Sequence, residues 1–321
     1  MNTQSILSAQ TPLGTPLKIV KQTFLPFQGK PVKRVSFLAG LHGDELEGVY
    51  LCYLLIDHLR KLKEQEPEAF TGEINIYPAV NPQAIGTATR LSPFWTADMN
   101  RQLGATKGHS LPAVFSQILF DDLKSSSDLV VDFHASNLYL KELPQIRIVE
   151  GFEKKLVPLA MHCNSDLIWV HPESGVFEST LGYNLNRQKV PTLVMETGIC
   201  LRIHQQYCNQ IFQGMLHLLH HTQALSSQAG SPAVKDPLLL NPSEVCQIQA
   251  GYSGLFIGSA QLGDRVAQGD VLGKIVDPVR GVELENIFSP ASGLIFTLRE
   301  HPIVYRGAPL ARIALKSEDP S

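Results

Sequence analysis

The stretch that decides the fold is KRVSFLAGLHGDELEGVYLCYLLIDHLRKLK, residues 33–63. Its first part, residues 33–40, predicts a buried β-strand, and the helical spacing of apolar side chains predicts a helix over residues 45–63. Between the two lies His42-Gly43-Asp44-Glu45, a histidine and two acids on a strand-to-helix turn. Open α/β sheets bind ligands at such turns, where the carboxyl ends of the strands meet. The turn is therefore a candidate site.

The same alternation continues outward over about the first 225 residues. Further strands are predicted at 73–80, 128–135, 146–150, 166–171 and 192–197, and helices near 111–124, 152–163, 176–188 and 203–225. Strands that alternate with helices predict an α/β domain with a largely parallel or mixed sheet. We assign residues 1–225 to this domain.

The sequence pattern changes after residues 226–237. These residues are small and polar, contain two prolines and predict a linker. Residues 238–321 have short apolar runs and glycine-rich turns. Within them, 253–275 aligns with 292–313, which predicts a β-barrel-like domain built from two related halves. The alignment places Val266, Gly269, Leu272 and Ile275 on Val304, Gly307, Leu310 and Ile313. The nearby turn at 277–283 has an arginine and no lysine, which argues against a biotin or lipoyl carrier.

Composition limits the classes of function. Hydrophobic residues make up 44% and charged residues 18% of the 321 residues, and the net charge is -3, so we expect a globular protein that binds neither nucleic acid nor an anionic membrane. No apolar run approaches the roughly 18 residues of a membrane span. Five scattered cysteines and an N-terminus without signal-peptide features predict a cytoplasmic location. Assembly into a homo-oligomer stays open.

Three residues on two predicted strand ends have the chemistry of a metal site. His42 and Glu45 can reach one ion from their turn, although chance alone predicts about one His-x-x-acid match in this composition. Catalytic zinc usually has three protein ligands and an open position, and His134 ends the strand at 128–135. Asp132 points to the same face as His134 and could orient a ligand imidazole. For this strand taken alone, a core histidine beside a strand acid is the favoured alternative.

Two further segments carry candidate catalytic groups. Glu196 ends the strand at 192–197, where an acid is costly unless it is paired or functional; a solvated glutamate is an equal alternative. The loop at 81–101 has little periodicity and carries Arg90, Asn100 and Arg101. Arginines in such a loop suit a carboxylate-bearing substrate, and solvated loop arginines are the alternative.

Because these motifs occur in this order and at the ends of predicted strands, the chain resembles the succinylglutamate desuccinylase/aspartoacylase family, a branch of the zinc carboxypeptidase-like fold. The matching stretches are GLHGDE (40–45), NPQAIGTATR (81–90), DMNR (98–101), VDFH (131–134) and VMETG (194–198). They span most of the first 200 residues, and the C-terminal β-rich part also resembles that of the family. The resemblance implies a mixed sheet flanked by helices, followed by a smaller β-rich domain.

The resemblance also implies a site and a reaction. One zinc ion per chain would be held by His42, Glu45 and His134, with Glu196 as general base, Arg90 polarising the scissile carbonyl, Asn100 and Arg101 holding a substrate carboxylate, and Asp132 supporting a ligand histidine. Asp44 is expected to be a solvated neighbour or a helix-start acid. The implied reaction is hydrolysis of the amide bond of a small N-acyl amino acid or a related carboxylate-bearing amide.

The sequence leaves the substrate and two other functions open. Residues 135–148 match neither named enzyme, so neither N-acetylaspartate nor succinylglutamate is assigned. A metallocarboxypeptidase that cuts short peptides and a non-catalytic binding module on the same fold are the alternatives. His217, His220 and His221 have helical spacings that can chelate a metal, although a solvated helix surface is favoured. Tyr305 is a further candidate to reach the active site from the β-rich part.

Overall fold

The computed structural model describes residues 1–11, 13–103, 109–226 and 231–315. Parts of the predicted linker (227–230) and of the C-terminal domain (316–321) lie outside these ranges. The strands are β1 (Asn2–Gln10), β2 (Pro16–Phe24), β3 (Arg34–Ala39), β4 (Glu73–Tyr77), β5 (Leu129–Ala135), β6 (Leu140–Val149), β7 (Leu167–His171), β8 (Thr192–Gly198), β9 (Leu238–Leu240), β10 (Val245–Gln249), β11 (Gly254–Gly258), β12 (Arg265–Val266), β13 (Val271–Asp277), β14 (Val282–Phe288), β15 (Gly293–Arg299), β16 (Ile303–Val304) and β17 (Pro309–Ala314). The helices are α1 (Leu46–Gln65), α2 (Pro82–Gly86), α3 (Leu111–Ser126), α4 (Glu153–Ala160), α5 (Leu181–Arg187) and α6 (Gln205–His221).

A large mixed sheet runs through the molecule, in the order β1-β2-β4-β3-β5-β8-β6-β15-β17-β10. Its centre, β4-β3-β5-β8, is parallel, whereas β2 and β6 run antiparallel to their central neighbours. The predicted mixed α/β sheet with helices and a β-rich C-terminal part is confirmed. Among the described residues, no helix combines the length and apolarity needed to cross a membrane.

The two faces of the sheet have separate cores, because side chains alternate along a strand. On β5, Val131 belongs to the core shared with α1, α4 and α6. Its neighbour Val130 belongs to the core shared with α3 and α5. Asp132 and His134 follow Val130 at spacings of two, so they point to the α5 side of the sheet.

Two predicted elements differ from the structure, and one hairpin was not predicted. That hairpin consists of β1 and β2, which pair with each other at the edge of the sheet. The strand expected at 146–150 already begins at Leu140. The helix expected at 176–188 is divided into a 3-10 turn, Gly175–Phe177, and α5, whose first turn is capped by the Thr180 side chain.

The two related halves of the C-terminal part interleave. One half is β11-β12-β13 and the other is β15-β16-β17, but β12 pairs with β15 and β16 pairs with β11. Gly269 and Gly307, aligned by the repeat, both have positive φ (93° and 82°), which glycine adopts without strain. Strand β15 also pairs with β6, so this part of the chain continues the main sheet.

Candidate active site

The candidate site lies where β3, β5 and β8 end side by side. The turn 42–45 follows β3, and His134 on β5 is directly opposite Glu196 on β8 in the strand register. A cavity of about 450 Å³ opens here between the sheet, α5 and the loop that carries Arg90. All eight residues predicted for the site line this cavity: His42, Glu45, Arg90, Asn100, Arg101, Asp132, His134 and Glu196. Asp44, expected only as a neighbour, is not among the lining residues.

His42, Glu45 and His134 form a compact donor group. One ligand atom from each lies within 4.8 Å of the others, and all three side chains are buried. Nδ1 of His42 is 2.7 Å from Oε1 of Glu45, yet the pair lacks hydrogen-bond geometry and leaves this buried nitrogen without a hydrogen-bond partner. Nδ1 of His134 is 2.9 Å from Oε2 of Glu45. Two imidazoles around one carboxylate are a donor set that suits zinc, so the residues present fit the metal.

The outer nitrogen of each imidazole faces an acid. Nε2 of His42 is 3.1 Å from Oδ1 of Asp98, and Nε2 of His134 is 3.1 Å from Oδ2 of Asp132. Metal-binding histidines commonly have such carboxylate partners. Although burial opposes it, the carboxylates of Glu45 and Asp98 raise the pKa of His42, and those of Asp132 and Glu45 raise the pKa of His134. Glu45 itself is buried, but the two imidazoles hold its pKa well below the usual range.

The turn that carries His42 and Glu45 is packed directly against α2. A Cβ built on Gly43 would lie 1.9 Å from the carbonyl carbon of Ala84, and the Gly43 N–H donates to the Thr89 carbonyl at 3.0 Å. Glu45 precedes α1 but does not cap it with its side chain. Its carboxylate is instead free to face the imidazoles and to accept the Ala135 N–H at 3.1 Å.

Glu196 is held by an arginine that the sequence analysis did not single out. Nη1 of Arg147 on β6 donates to Oε1 of Glu196 at 3.2 Å, and its Nη2 donates to Glu142. Burial raises the pKa of Glu196, although the Arg147 guanidinium and His134 act in the opposite direction. A buried carboxyl with a raised pKa is suited to accept and return a proton.

The C-terminal part reaches this cavity through Arg312 and not through Tyr305. Tyr305, in the turn between β16 and β17, is 76% exposed and is not among the cavity-lining residues, so that expectation is wrong. Arg312, on β17, lines the cavity and donates from Nη1 to Oε1 of Glu142 at 2.9 Å. Glu142 thus joins β6 to β17 beside Glu196.

The three loop residues differ in exposure: Asn100 is buried, Arg90 is partly buried and Arg101 is exposed. Arg90 donates to Oε1 of Glu45 at 3.1 Å and to Oδ2 of Asp98 at 3.3 Å. Asn100 is buried, and its side-chain oxygen accepts the N–H of Leu181, the first residue of α5, at 2.8 Å. Arg101 is exposed at the cavity mouth, and its Nη1 donates to the Asn100 carbonyl at 2.9 Å.

The expectation that Asp44 is solvated is wrong. Asp44 is 3% exposed, because the segment after β8 covers it: the Leu201 N–H donates to the Asp44 carbonyl at 2.7 Å. Asp44, Glu45 and Cys200 form a second compact group of donor atoms. However, the Cys200 thiol donates to the Ser136 carbonyl at 2.8 Å and burial raises its pKa, so it is held protonated and is a poor metal ligand.

The three histidines of α6 do not converge. Among the described residues, His217, His220 and His221 form no group of metal-binding geometry. Nε2 of His217 is 3.0 Å from Nδ1 of His162, and the His221 ring is stacked on that of His162. The face of α6 therefore packs against His162.

Four residues of the site escaped the sequence analysis. Asp98 stands in the stretch DMNR (98–101), and its position two residues before Asn100 was the available signal. Glu142 and Arg147 lie within the unmatched stretch 135–148, where polar residues alternate with apolar ones. Arg312 had no sequence signal, because its place depends on the pairing of distant strands.

Comparison with known proteins agrees with this architecture. Residues 31–222 match the family model described as the succinylglutamate desuccinylase/aspartoacylase catalytic domain. The N-alpha-acetyl-L-2,4-diaminobutyric acid deacetylase of Halomonas elongata is 24% identical over 288 residues, which cover 86% of this chain and 80% of that protein.

Solved structures share the fold over nearly the whole chain. The product-bound ectoine utilization protein EutE (DoeB) of Ruegeria pomeroyi has a TM-score of 0.79 at 20% identity, over 97% of this chain and 93% of that one. A succinylglutamate desuccinylase/aspartoacylase of Rhodobacter sphaeroides has a TM-score of 0.79 at 20% identity, over 98% and 96% of the two chains. At these identities the likeness concerns the fold.

Proposed function

Because the chain belongs to the succinylglutamate desuccinylase/aspartoacylase family, whose named activities are amide hydrolyses, we propose that it is a zinc-dependent deacylase of small N-acyl amino acids or related carboxylate-bearing amides. The observation that carries the proposal is the group of His42, Glu45 and His134, with ligand atoms within 4.8 Å of one another, in the same cavity as Glu196 and Arg90. These three residues would hold one zinc ion per chain.

Zinc in such a site polarises the scissile carbonyl and makes a water molecule more acidic. The protein supplies the proton transfer: Glu196 takes the proton of the attacking water and returns it to the nitrogen of the leaving amine. Arg147 keeps the Glu196 carboxylate pointed into the cavity. Asp98 and Asp132 orient the two imidazoles through their outer nitrogens.

The loop between β4 and α3 orients the substrate. Arg90 lies beside Glu45, where it adds positive charge next to the carbonyl oxygen as negative charge develops, an effect worth about 10²–10³-fold for one donor. Asn100 and Arg101 hold the substrate carboxylate at the mouth of the cavity. The packing of Asn100 against α5 fixes this end of the site.

The deacylase activity is supported over the peptidase and binding-module alternatives by the family and by the Halomonas elongata relative, which is named as a deacetylase. The cytoplasmic location is part of the proposal, and the free state of all five cysteines agrees with it. The division into a catalytic domain at residues 1–225, a linker at 226–237 and a β-rich domain at 238–321 is also part of the proposal.

The test is hydrolysis of a set of N-acyl amino acids and a set of short peptides by the zinc-loaded protein. We expect turnover of N-acyl amino acids, and a Glu196→Gln variant that retains zinc but loses most of that turnover. Glu68→Gln, an exposed glutamate outside the cavity, is the matched control and should hydrolyse normally. Faster cleavage of the peptides, or normal turnover by Glu196→Gln, contradicts the proposal.

A further inference from the structure

We propose that the substrate carries a single carboxylate and an otherwise uncharged, apolar body. This inference rests on the proposed deacylase function and specifies its substrate class. Three features of the cavity lead to it: the pairing of its arginines, the pairing of its acids, and the character of the wall beyond Glu196.

Arginine pairing limits the number of substrate carboxylates. Four arginines line the cavity: Arg90, Arg101, Arg147 and Arg312. Three of them form ion pairs with protein carboxylates: Arg90 with Glu45 and Asp98, Arg147 with Glu142 and Glu196, and Arg312 with Glu142. Within the ranges that the structure describes, Arg101 has no ion pair. One unpaired guanidinium at the cavity mouth fits one substrate carboxylate.

Acid pairing disfavours a substrate with an amino group in its side chain. The acids that line the cavity are Glu45, Asp132, Glu142 and Glu196. Each already faces a cation or an imidazole: Glu45 and Asp132 face His134, and the two glutamates face Arg147. A substrate ammonium would enter the cavity without a free carboxylate to compensate its lost hydration.

The wall beyond Glu196 carries four apolar side chains. Val194 precedes Glu196 by two residues on the same face of β8, and Val149, Phe152 and Phe177 also line the cavity. The polar side chains of this region, Thr180, Tyr183, Asn186 and Thr192, each donate a hydrogen bond to another protein group. The four apolar side chains remain partly exposed, so they are available to a ligand. His171, which also lines this end, is neutral at physiological pH, because burial and the two nearby arginines lower its pKa to about 3.

This wall can receive an apolar group from either half of the substrate. An apolar acyl chain and an apolar amino-acid side chain present the same chemistry, so the assay has two arms. In one arm the acyl group is acetyl and the amino acid is glycine, leucine, phenylalanine, aspartate or 2,4-diaminobutyrate. In the other arm the amino acid is alanine and the acyl group is acetyl, hexanoyl or succinyl.

We expect kcat/KM for the apolar members to exceed that for the charged members at least tenfold in one arm, a typical gain for filling an apolar pocket. The arm with the preference identifies the half that contacts the wall. If aspartate, diaminobutyrate or succinyl substrates are fastest in their arms, the inference is overturned while the deacylase function stands. If no member of either arm is hydrolysed, the proposed function falls and the inference with it.

Two variants test the wall itself. Val194→Thr keeps the shape but places a hydroxyl on the wall, and we expect the ratio of apolar to glycine or acetyl substrate to fall about three- to tenfold. Val279→Thr is the matched control, because Val279 is 91% exposed on the turn between β13 and β14. An unchanged ratio in Val194→Thr, in protein with a wild-type melting temperature, also overturns the inference.

Discussion

Replacing Glu142 with glutamine tests whether the C-terminal strands help to hold the proposed general base. The Glu142 side chain is 1% exposed and belongs to β6, which lies between β8 and β15 in the main sheet. Its Oε2 accepts from Arg147 and, at 3.0 Å, from Gln145. Its Oε1 accepts from Arg312 at 2.9 Å and from Thr297 at 3.4 Å. One carboxylate thus neutralises two guanidinium groups.

The cost of the substitution follows from this burial. Glutamine keeps the size of the side chain but removes its charge, and the two guanidinium side chains are only 26% and 19% exposed. Removing one partner of a buried ion pair costs about 3–5 kcal/mol. Because water reaches part of both arginines, we take the lower end, about 3 kcal/mol. At about 2 °C per kcal/mol for a large domain, the melting temperature should fall by about 6 °C.

Activity should fall along with stability. In the variant, Arg147 loses its charged partner Glu142 and keeps only Glu196. The Arg147 guanidinium is then held less firmly, and so is the Glu196 carboxylate that it binds. Misplacement of a reacting group by about 1 Å can cost about 100-fold in rate. We expect kcat to fall by about 10- to 100-fold, with a smaller change in KM, because Glu142 is not placed to hold the substrate carboxylate.

The assay is thermal unfolding followed by fluorescence, together with steady-state hydrolysis of an N-acyl amino acid. Thr297→Val is the control, since it removes only a long hydrogen bond to Glu142, worth about 1 kcal/mol or less. Replacing Arg312 with methionine in the Glu142→Gln background removes one unpaired charge and should recover part of the lost stability. A Glu142→Gln variant that melts within 2 °C of wild type and keeps its kcat would refute the reasoning.

Three further predictions concern the metal, the turn and the pH dependence of stability. His134→Ala should lose most of its bound zinc in elemental analysis, whereas His171→Gln should keep it; stoichiometric zinc in His134→Ala rules that residue out as a ligand. Gly43→Ala should lower the melting temperature strongly, because its Cβ would meet the Ala84 backbone at 1.9 Å, whereas Gly86→Ala, with open space around its Cβ, should not; equal melting temperatures would contradict the packing. His171 has a folded pKa of about 3, below the ordinary value of about 6.5, so between these values the unfolded chain binds one proton more and stability rises with pH. His171→Gln should flatten the dependence measured by urea unfolding by at most about 1.4 kcal/mol per pH unit, and an unchanged slope would refute that pKa.

Local patterns were sufficient to predict the centre of the fold and the convergence of His42, Glu45 and His134. The strand at 34–39, the turn with His42 and Glu45 and the helix from Leu46 are consecutive, so their relation is set by the geometry of a single strand-to-helix unit. The carboxyl ends of neighbouring parallel strands meet at one edge. For this reason His134 and Glu196, on β5 and β8, could be expected beside that turn from sequence, and the resemblance to the family is confirmed.

Solvent exposure was harder to predict than position. Asp44 belongs to the same turn as Glu45, and the local sequence suggests a solvated acid at the start of a helix. Its burial is caused by residues 199–202, which follow β8 and close over the turn. A contact between segments about 155 residues apart leaves no periodic pattern, and the same limit explains why Asp98 was not recognised as the partner of His42.

The pairing of β6 with β15 joins the main sheet to the C-terminal part. This pairing shows why the position of Arg312 in the site could not be predicted. The internal repeat indicates two related halves, and a repeat alone would predict that each half pairs within itself. In the structure β12 and β16 are exchanged between the halves, and β15 then pairs with β6 through Thr297 and Glu142. Only this register brings Arg312 to Glu142, and through it to Arg147 and the carboxylate of Glu196. The C-terminal strands are therefore part of the wall of the site, and removing them would expose the buried charges of Glu142 and Arg147 as well as shorten the sheet.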